Sequence, residues 1–251
     1  MNASVETLRR AVIHVVRTSS ADVDRRDYRR RPCLADATID AQGQSAKAVI
    51  RDISEGGCLA ETALRGQAGQ RIELILSRFG KRLHGSVVHA SEGKLRIAFS
   101  GDGLQVGDAD RISVETVPDL VRLTKEDHVA FAKRVVDIVE AREKPPQAGL
   151  ATAHHCRLGR WYDGISDHDT LALVSFKALE EPHHAVHDFG RRALAALTVD
   201  DMAAVQRDVA AMREASGQVM EGLEAFGREF PSTIRAGRQM PADRQRSMAA
   251  A

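Results

Sequence analysis

The sequence predicts an α+β multidomain chain, a six-stranded antiparallel β-barrel followed by a helical domain, from three observations. Six short β-type runs follow one another from Leu34 onward, glycine-bearing breaks divide them, and helical periodicity replaces them after about residue 108. The length of 251 residues accommodates two modest domains, each with its own core.

The elements follow in order. Residues 4–17 read as a short helix, with Ser4 as a cap and Leu8, Val12 and Val15 or Val16 on its apolar side. An arginine-rich connector comes next, with five arginines among residues 25–31. The strand runs are CLADATI, AKAVIRDI, GGCLAE, RIELILSR, RLHGSVVHA and KLRIAFS, and the breaks contain Gly43, Gly56, Gly57, Gly66, Gly69, Gly80 and Gly93. Short strands at regular spacing predict a small barrel. Residues 119–142 then carry Phe131, Val135, Ile138 and Val139 at helical spacing until Pro145 and Pro146 end the pattern. Residues 182–197 and 200–229 read as two more helices. The tail 231–251, rich in Arg, Gln, Pro and Ala, is expected to be disordered.

Composition narrows the function. Lys plus Arg total 36 against 35 for Asp plus Glu, so no global charge points to nucleic acid or membrane. No stretch approaches the ~20 apolar residues of a membrane span. Cys33, Cys58 and Cys156 are odd in number and far apart, which argues for a reducing, cytoplasmic setting rather than a disulfide framework.

Two constellations carry chemistry. His183 and His187, one helical turn apart after Pro182, share a face on which two imidazoles can meet one metal. His128 lies on the apolar stripe of the 119–142 helix, where an unpaired imidazole is costly. Cys156 opens the segment CRLGRWYDG, and thiolate with imidazole favours zinc over magnesium or calcium. The pattern alone leaves two readings open, a zinc site and core histidines satisfied by hydrogen bonds. Earlier in the chain, Arg26 and Arg30 are spaced RxxxR, and Asp52, Ser54 and Gly57 form D-x-S-x-x-G at a strand end. Arginine forks suit phosphate and guanine, Asp accepts from a guanine N–H, Ser bonds phosphate, and Gly permits close approach.

The segments around Cys156, Gly159 and Trp161, and around Pro182, His183 and His187, together with His128 in KEDHVAF, resemble the chemoreceptor zinc-binding (CZB) domain over residues 118–229. That resemblance implies a four-helix bundle with zinc held by His128, Cys156, His183 and His187. It leaves His154, His155 and His184 as bystanders and implies sensing of zinc, or of oxidants such as hypochlorous acid at the sulfur. Four protein ligands would close a tetrahedral zinc, which disfavours a hydrolase. The RxxxR and D-x-S-x-x-G pair, with Pro32 and the run KLRIAF, resembles the PilZ domain over residues 24–105. It implies a barrel that binds cyclic di-GMP through Arg26 and Arg30, with Asp52, Ser54 and Gly57 as barrel-surface contacts and Arg25 stacking on a base. The stretch before Arg25 is similar to linkers between chemoreceptor signalling tails and PilZ domains.

The sequence therefore predicts a linker region at 1–23, a barrel at 24–105, a bundle at 118–229 and a tail at 231–251. The expected function is a non-enzymatic cytoplasmic signalling adaptor with zinc and cyclic di-GMP as ligands. Its expected protein partner belongs to the chemotaxis or flagellar apparatus, and a homodimer through the bundle is a further expectation; nucleic acid and membrane insertion are not expected. The rival reading is a zinc-dependent hydrolase or phosphodiesterase.

Overall fold

The computed structural model describes residue 12 and residues 28–239 apart from 92, 102, 142, 147 and 148. The expected N-terminal helix lies outside the described residues except for Val12, and so do Arg25 and Arg26. The chain divides into two units, one reaching to Leu120 and including Ser166–His168, the other made of Val121–Ile165 and the chain from Asp169 onward.

The first unit holds the six expected strands: β1 Arg31–Ala41, β2 Gln44–Ser54, β3 Gly57–Thr62, β4 Arg71–Leu76, β5 Lys81–Ser91 and β6 Lys94–Phe99. All pairs are antiparallel, and they close into a barrel in the order β1-β2-β3-β6-β5-β4. Alternation fills the interior: Ala35, Ala37, Ile39 and Ala41 from β1 meet Ile72, Leu74 and Leu76 from β4 and Leu95 and Ile97 from β6. Between β1 and β2 a two-residue turn puts Gln42 and Gly43 at φ of 50° and 81°, the geometry that matches the twist of paired strands.

Bulges shift the phase of this alternation where the polar motif lies. In β2, Ala48 and Ile50 point inward, and strict alternation would send Asp52 inward next. The pairing with β3 shifts between Ile50 and Asp52, so Ile53 fills the interior and Asp52 keeps a quarter of its side chain in solvent. The pairing of β1 with β2 shifts between Pro32 and Ala35.

Helix α1 runs over Asp108–Val139, eleven residues earlier than the expected start at 119. The segment before Pro118 reads as a linker because it is polar and β-branched. Those residues find partners within this unit, however. Ala109, Ile112, Val117 and Leu120 are buried, the Ser113 hydroxyl donates to the Pro32 carbonyl at 2.5 Å, and the Leu34 N–H donates to Thr116 Oγ1 at 3.2 Å. Helix hydroxyls thus take the place of sheet partners for the Pro32 carbonyl and the Leu34 N–H at the β1 bulge. Lys81 pairs with Asp108, and Arg78 pairs with Asp119 at 2.6 Å.

In the second unit the remainder of α1 joins α2 Arg157–Gly164, α3 His168–Ala172, α4 Val174–Ala178, α5 Glu180–Thr198 and α6 Met202–Gln239, α3 beginning in the 166–168 segment of the first unit. Three long helices and a segment broken into three short ones make up the helical half. The expected end of order at Pro231 is corrected for residues 231–239, which continue α6. The apolar stripe Val219, Leu223, Phe226 and Phe230 extends to Ile234, and this burial outweighs the hydrogen bond lost at Pro231. Residues 240–251 lie outside the described residues. Trp161 packs edge-on against Phe176 and Phe226 at 5.5 and 5.2 Å, and Tyr162 stacks on Phe176 at 4.3 Å. Among the described residues no helix is long and apolar enough to cross a membrane.

Candidate metal centre and arginine–aspartate turn

The second unit gathers polar side chains inside its core. Cys156 is the N-cap of α2, with extended backbone, and its sulfur accepts the Gly159 N–H at 3.3 Å. The Cys-x-x-Gly spacing is therefore the N-cap to N3 spacing of a helix start. A side chain at 159 is impossible here: a Cβ would lie 1.7 Å from the Ala153 carbonyl oxygen. The glycine lets the loop before Cys156 close onto α2, and the helix N-terminus favours negative charge on the sulfur.

Helix α5 brings His183 and His187 to the same place. Among the described residues, Cys156, His183 and His187 form the group whose donor atoms all lie within 4.8 Å of one another. Cys156 Sγ is 3.1 Å from His183 Nε2. His187 Nδ1 lies 2.8 Å from the Ala151 carbonyl, an acceptor only, so Nδ1 carries the proton and Nε2 presents its lone pair. Phe131 of α1 packs on the same ring at 4.4 Å. His128, 3% exposed, stands beside the group, with its ring 5.7 Å from that of His183 and 6.3 Å from that of His187. The Nε2 atoms of His128 and His187 are both buried without a hydrogen-bond partner.

Burial holds all three imidazoles neutral. It lowers His128 and His187 to about 4, and, with the neighbouring imidazoles adding to the effect, lowers His183 to about 2. Burial pushes the Cys156 thiol up, partly offset by the Gly159 and Leu158 N–H groups. Neutral imidazoles, two orphaned nitrogens and a capping sulfur are the donor set of a zinc site, and these residues fit that ion. His154, His155 and His184 have contacts of their own. His154 Nδ1 is 2.7 Å from Asp163, its ring meets that of His184 edge-on at 5.0 Å, and His155 Nδ1 is 2.6 Å from Thr152 Oγ1. The Ala151 carbonyl had no sequence signal, because a main-chain atom in a loop leaves none.

In the first unit, Arg30 is ion-paired with Asp52 through Nη1 and Oδ1, bringing one residue of each arginine–aspartate motif together. Ser54 is buried at the end of β2, with its hydroxyl donating to the Gly57 carbonyl at 3.2 Å, so it shapes the turn into β3. Gly57 pairs with Ala98, and a Cβ there would meet the Ile97 carbonyl at 2.3 Å. The Glu55 and Gly56 carbonyls accept from Leu104 at 3.2 Å and Phe99 at 2.9 Å, fixing the turn. Arg31, beside the motif, is buried and paired with Asp110 at 2.7 Å and Asp167 at 2.9 Å.

Residues 24–122 match the PilZ domain and residues 128–194 match the chemoreceptor zinc-binding domain, CZB. The chain thus carries a PilZ domain followed by a CZB domain. Solved structures it is similar to include the PlzA protein of Borreliella burgdorferi in complex with c-di-GMP, 20% identical over 36% of this chain and 40% of that one, TM-score 0.29. Also similar is the PilZ domain of YcgR from Escherichia coli with c-di-GMP, 18% identical over 38% of this chain and 94% of that one, TM-score 0.29. A third is the Bacillus subtilis inhibitor of motility MotI/DgrA, 20% identical over 39% of this chain and 52% of that one, TM-score 0.27. The chain therefore spans less than two thirds of the PlzA and MotI chains. No curated protein matches this sequence.

Two outcomes are expected. Protein purified without chelator contains about one zinc per chain, and replacing His183 and His187 together by Ala removes it, as elemental analysis will show. Metal-stripped protein also loses stability on mild acidification. The unfolded histidines protonate at about 6.5 and the buried ones only near 4 or below, so their contribution is complete above pH 6.5 and declines as pH falls toward about 4. Thermal melts of the metal-free helical half at about pH 7.5 and about pH 5 check this; an unchanged midpoint contradicts it.

Proposed function

We propose that this chain, with its PilZ domain followed by a CZB domain, is a two-input signalling adaptor, binding cyclic di-GMP at the barrel and zinc in the helical unit. The observation that carries the reading is the convergence of Cys156, His183 and His187 beside the partnerless Nε2 of His128. A bound zinc ion would hold the Cys156 sulfur as thiolate, giving the site one oxidisable ligand atom. The chain's own residues prepare that state. Ala151 fixes the His187 tautomer, Gly159 directs its N–H at the sulfur, and burial keeps three imidazoles unprotonated. With four protein ligands no coordination position is left for a hydrolytic water, and the site serves to sense zinc or oxidants.

At the barrel, Arg30 and Asp52 are the described members of the proposed nucleotide grip, with Arg26 and Arg25 completing it from the connector. The ion pair holds the Arg30 guanidinium at the β2–β3 turn, where phosphate or guanine N7 and O6 would take over part of its donor set. Asp52 then accepts from guanine N–H. Ser54 and Gly57 act by shaping the turn that presents both. The output is expected on a protein of the chemotaxis or flagellar apparatus.

The rival reading, a zinc-dependent phosphodiesterase, makes the opposite forecast for one simple experiment. Wild-type protein is expected to bind cyclic di-GMP and return it intact, whereas cleavage to the linear dinucleotide sinks the adaptor reading. Arg30→Ala is expected to weaken binding by about ten- to a hundredfold, the scale of a charged hydrogen bond of ~1.5–3 kcal/mol, and Asp52→Ala to weaken it less. Equal affinity in wild type and Arg30→Ala removes the motif from the account.

Helix α1 also suggests that the inputs communicate. It carries Ser113 and Thr116, bonded to β1 just after Arg30, and it carries His128. Any such coupling is reciprocal in free energy. Titrating cyclic di-GMP into wild type and Cys156→Ala, each with and without zinc, is expected to give different dissociation constants. Matching values mean two independent modules.

A further inference from the structure

Tyr28 sits between the two motif arginines in sequence, and it is 51% exposed. The other tyrosine, Tyr162, is buried and stacked on Phe176, as an aromatic side chain in a small domain normally is. What holds Tyr28 is the main chain of Gly56. A Cβ at 56 would lie 2.9 Å from Tyr28 Cδ2 and 3.3 Å from Cε2, so the ring rests directly on the glycine of the β2–β3 turn. The two glycines of the turn have different causes. Gly57 is required by the approach of β6, whereas Gly56 makes room for an aromatic ring.

We infer that Tyr28 is a stacking face for a purine base of the bound dinucleotide, a ligand contact that neither sequence motif includes. This rests on the nucleotide reading of the barrel. A phenol ring supported from beneath by main chain, with half its surface open to water, loses little conformational entropy when a planar base covers it. Two residues on, Arg30 is held at Asp52, on the strand that leads into the turn supporting the ring. The turn therefore presents a charged fork for phosphate or the guanine edge beside a flat apolar face for the base. Stacking of this kind depends on a π-face rather than on base edges, so it adds affinity for nucleotides over simple anions while Asp52 supplies the preference for guanine.

The test uses the full chain and three variants, Tyr28→Phe, Tyr28→Leu and Tyr28→Ala, with cyclic di-GMP as the probe. Tyr28→Ala and Tyr28→Leu are expected to bind about five- to a hundredfold more weakly, and Tyr28→Phe within about threefold of wild type, the range for base–aromatic stacking. The near-ultraviolet absorbance of the guanines should fall on binding to wild type and Tyr28→Phe. Thermal melting of the barrel in each variant separates loss of the contact from loss of the fold. No binding by wild type refutes the nucleotide reading itself. Wild-type binding with undiminished affinity in a folded Tyr28→Leu or Tyr28→Ala overturns the inference about Tyr28 alone.

Discussion

The helical unit depends on a convergence that is unfavourable by itself: two buried imidazoles and a thiol with their donor atoms gathered together, and a third buried imidazole beside them. Each buried polar atom left without a partner costs about 1–3 kcal/mol, and the Nε2 atoms of His128 and His187 are two such atoms. A domain of this size has only about 5–15 kcal/mol of net stability, so the arrangement consumes an appreciable share of it. A structural zinc ion returns about 10–16 kcal/mol at neutral pH, more than the orphaned atoms cost. The magnitudes favour a fold completed by metal over one that tolerates empty donors. Much of the local geometry follows from this constraint. Cys156 caps a helix so that its sulfur faces inward, Gly159 lacks a side chain so that the loop can close, and Ala151 offers a carbonyl that fixes one ring.

The barrel obeys a different constraint, the two-residue period of its strands. A strict period would bury Asp52, and a buried carboxylate without a full set of partners is far more costly than a bulge. The bulge near Arg51 brings Asp52 to the surface and sends Ile53 into the core, and a second irregularity in β1 opens the strand to Ser113 and Thr116. Both irregularities lie beside Arg30 and Asp52. The β2–β3 turn is thus flanked by departures from the regular sheet, and hydrogen bonds from Phe99 at the end of β6 and from Leu104 beyond it hold it.

How much of this was legible depended on whether a residue acts through its type or through its neighbours. The six strands were readable because glycine turns punctuate alternating runs, and His183 and His187 because their spacing is that of a helix face. Cys156 was reached through the resemblance of its motif, and its role as a helix cap came only from the structure. The start of α1 was not, since Ser113, Thr116 and Pro118 disguise a helix whose polar groups are used against β1. Nor was the extension of α6 past Pro231, where Phe230 and Ile234 keep the stripe going. Ser54 and Gly57 were read as ligand contacts from their motif, and the structure adds that they also shape the turn, which the sequence did not tell.

The central claim is that the orphaned nitrogens and the capping sulfur close around one metal. X-ray absorption at the zinc edge, on protein purified without added metal, tests it most directly. The account predicts a first shell of one sulfur and three nitrogens, at about 2.3 Å and about 2.0–2.1 Å, with no oxygen. A shell containing a water oxygen, or lacking sulfur, would contradict it and return the open, hydrolytic reading to first place.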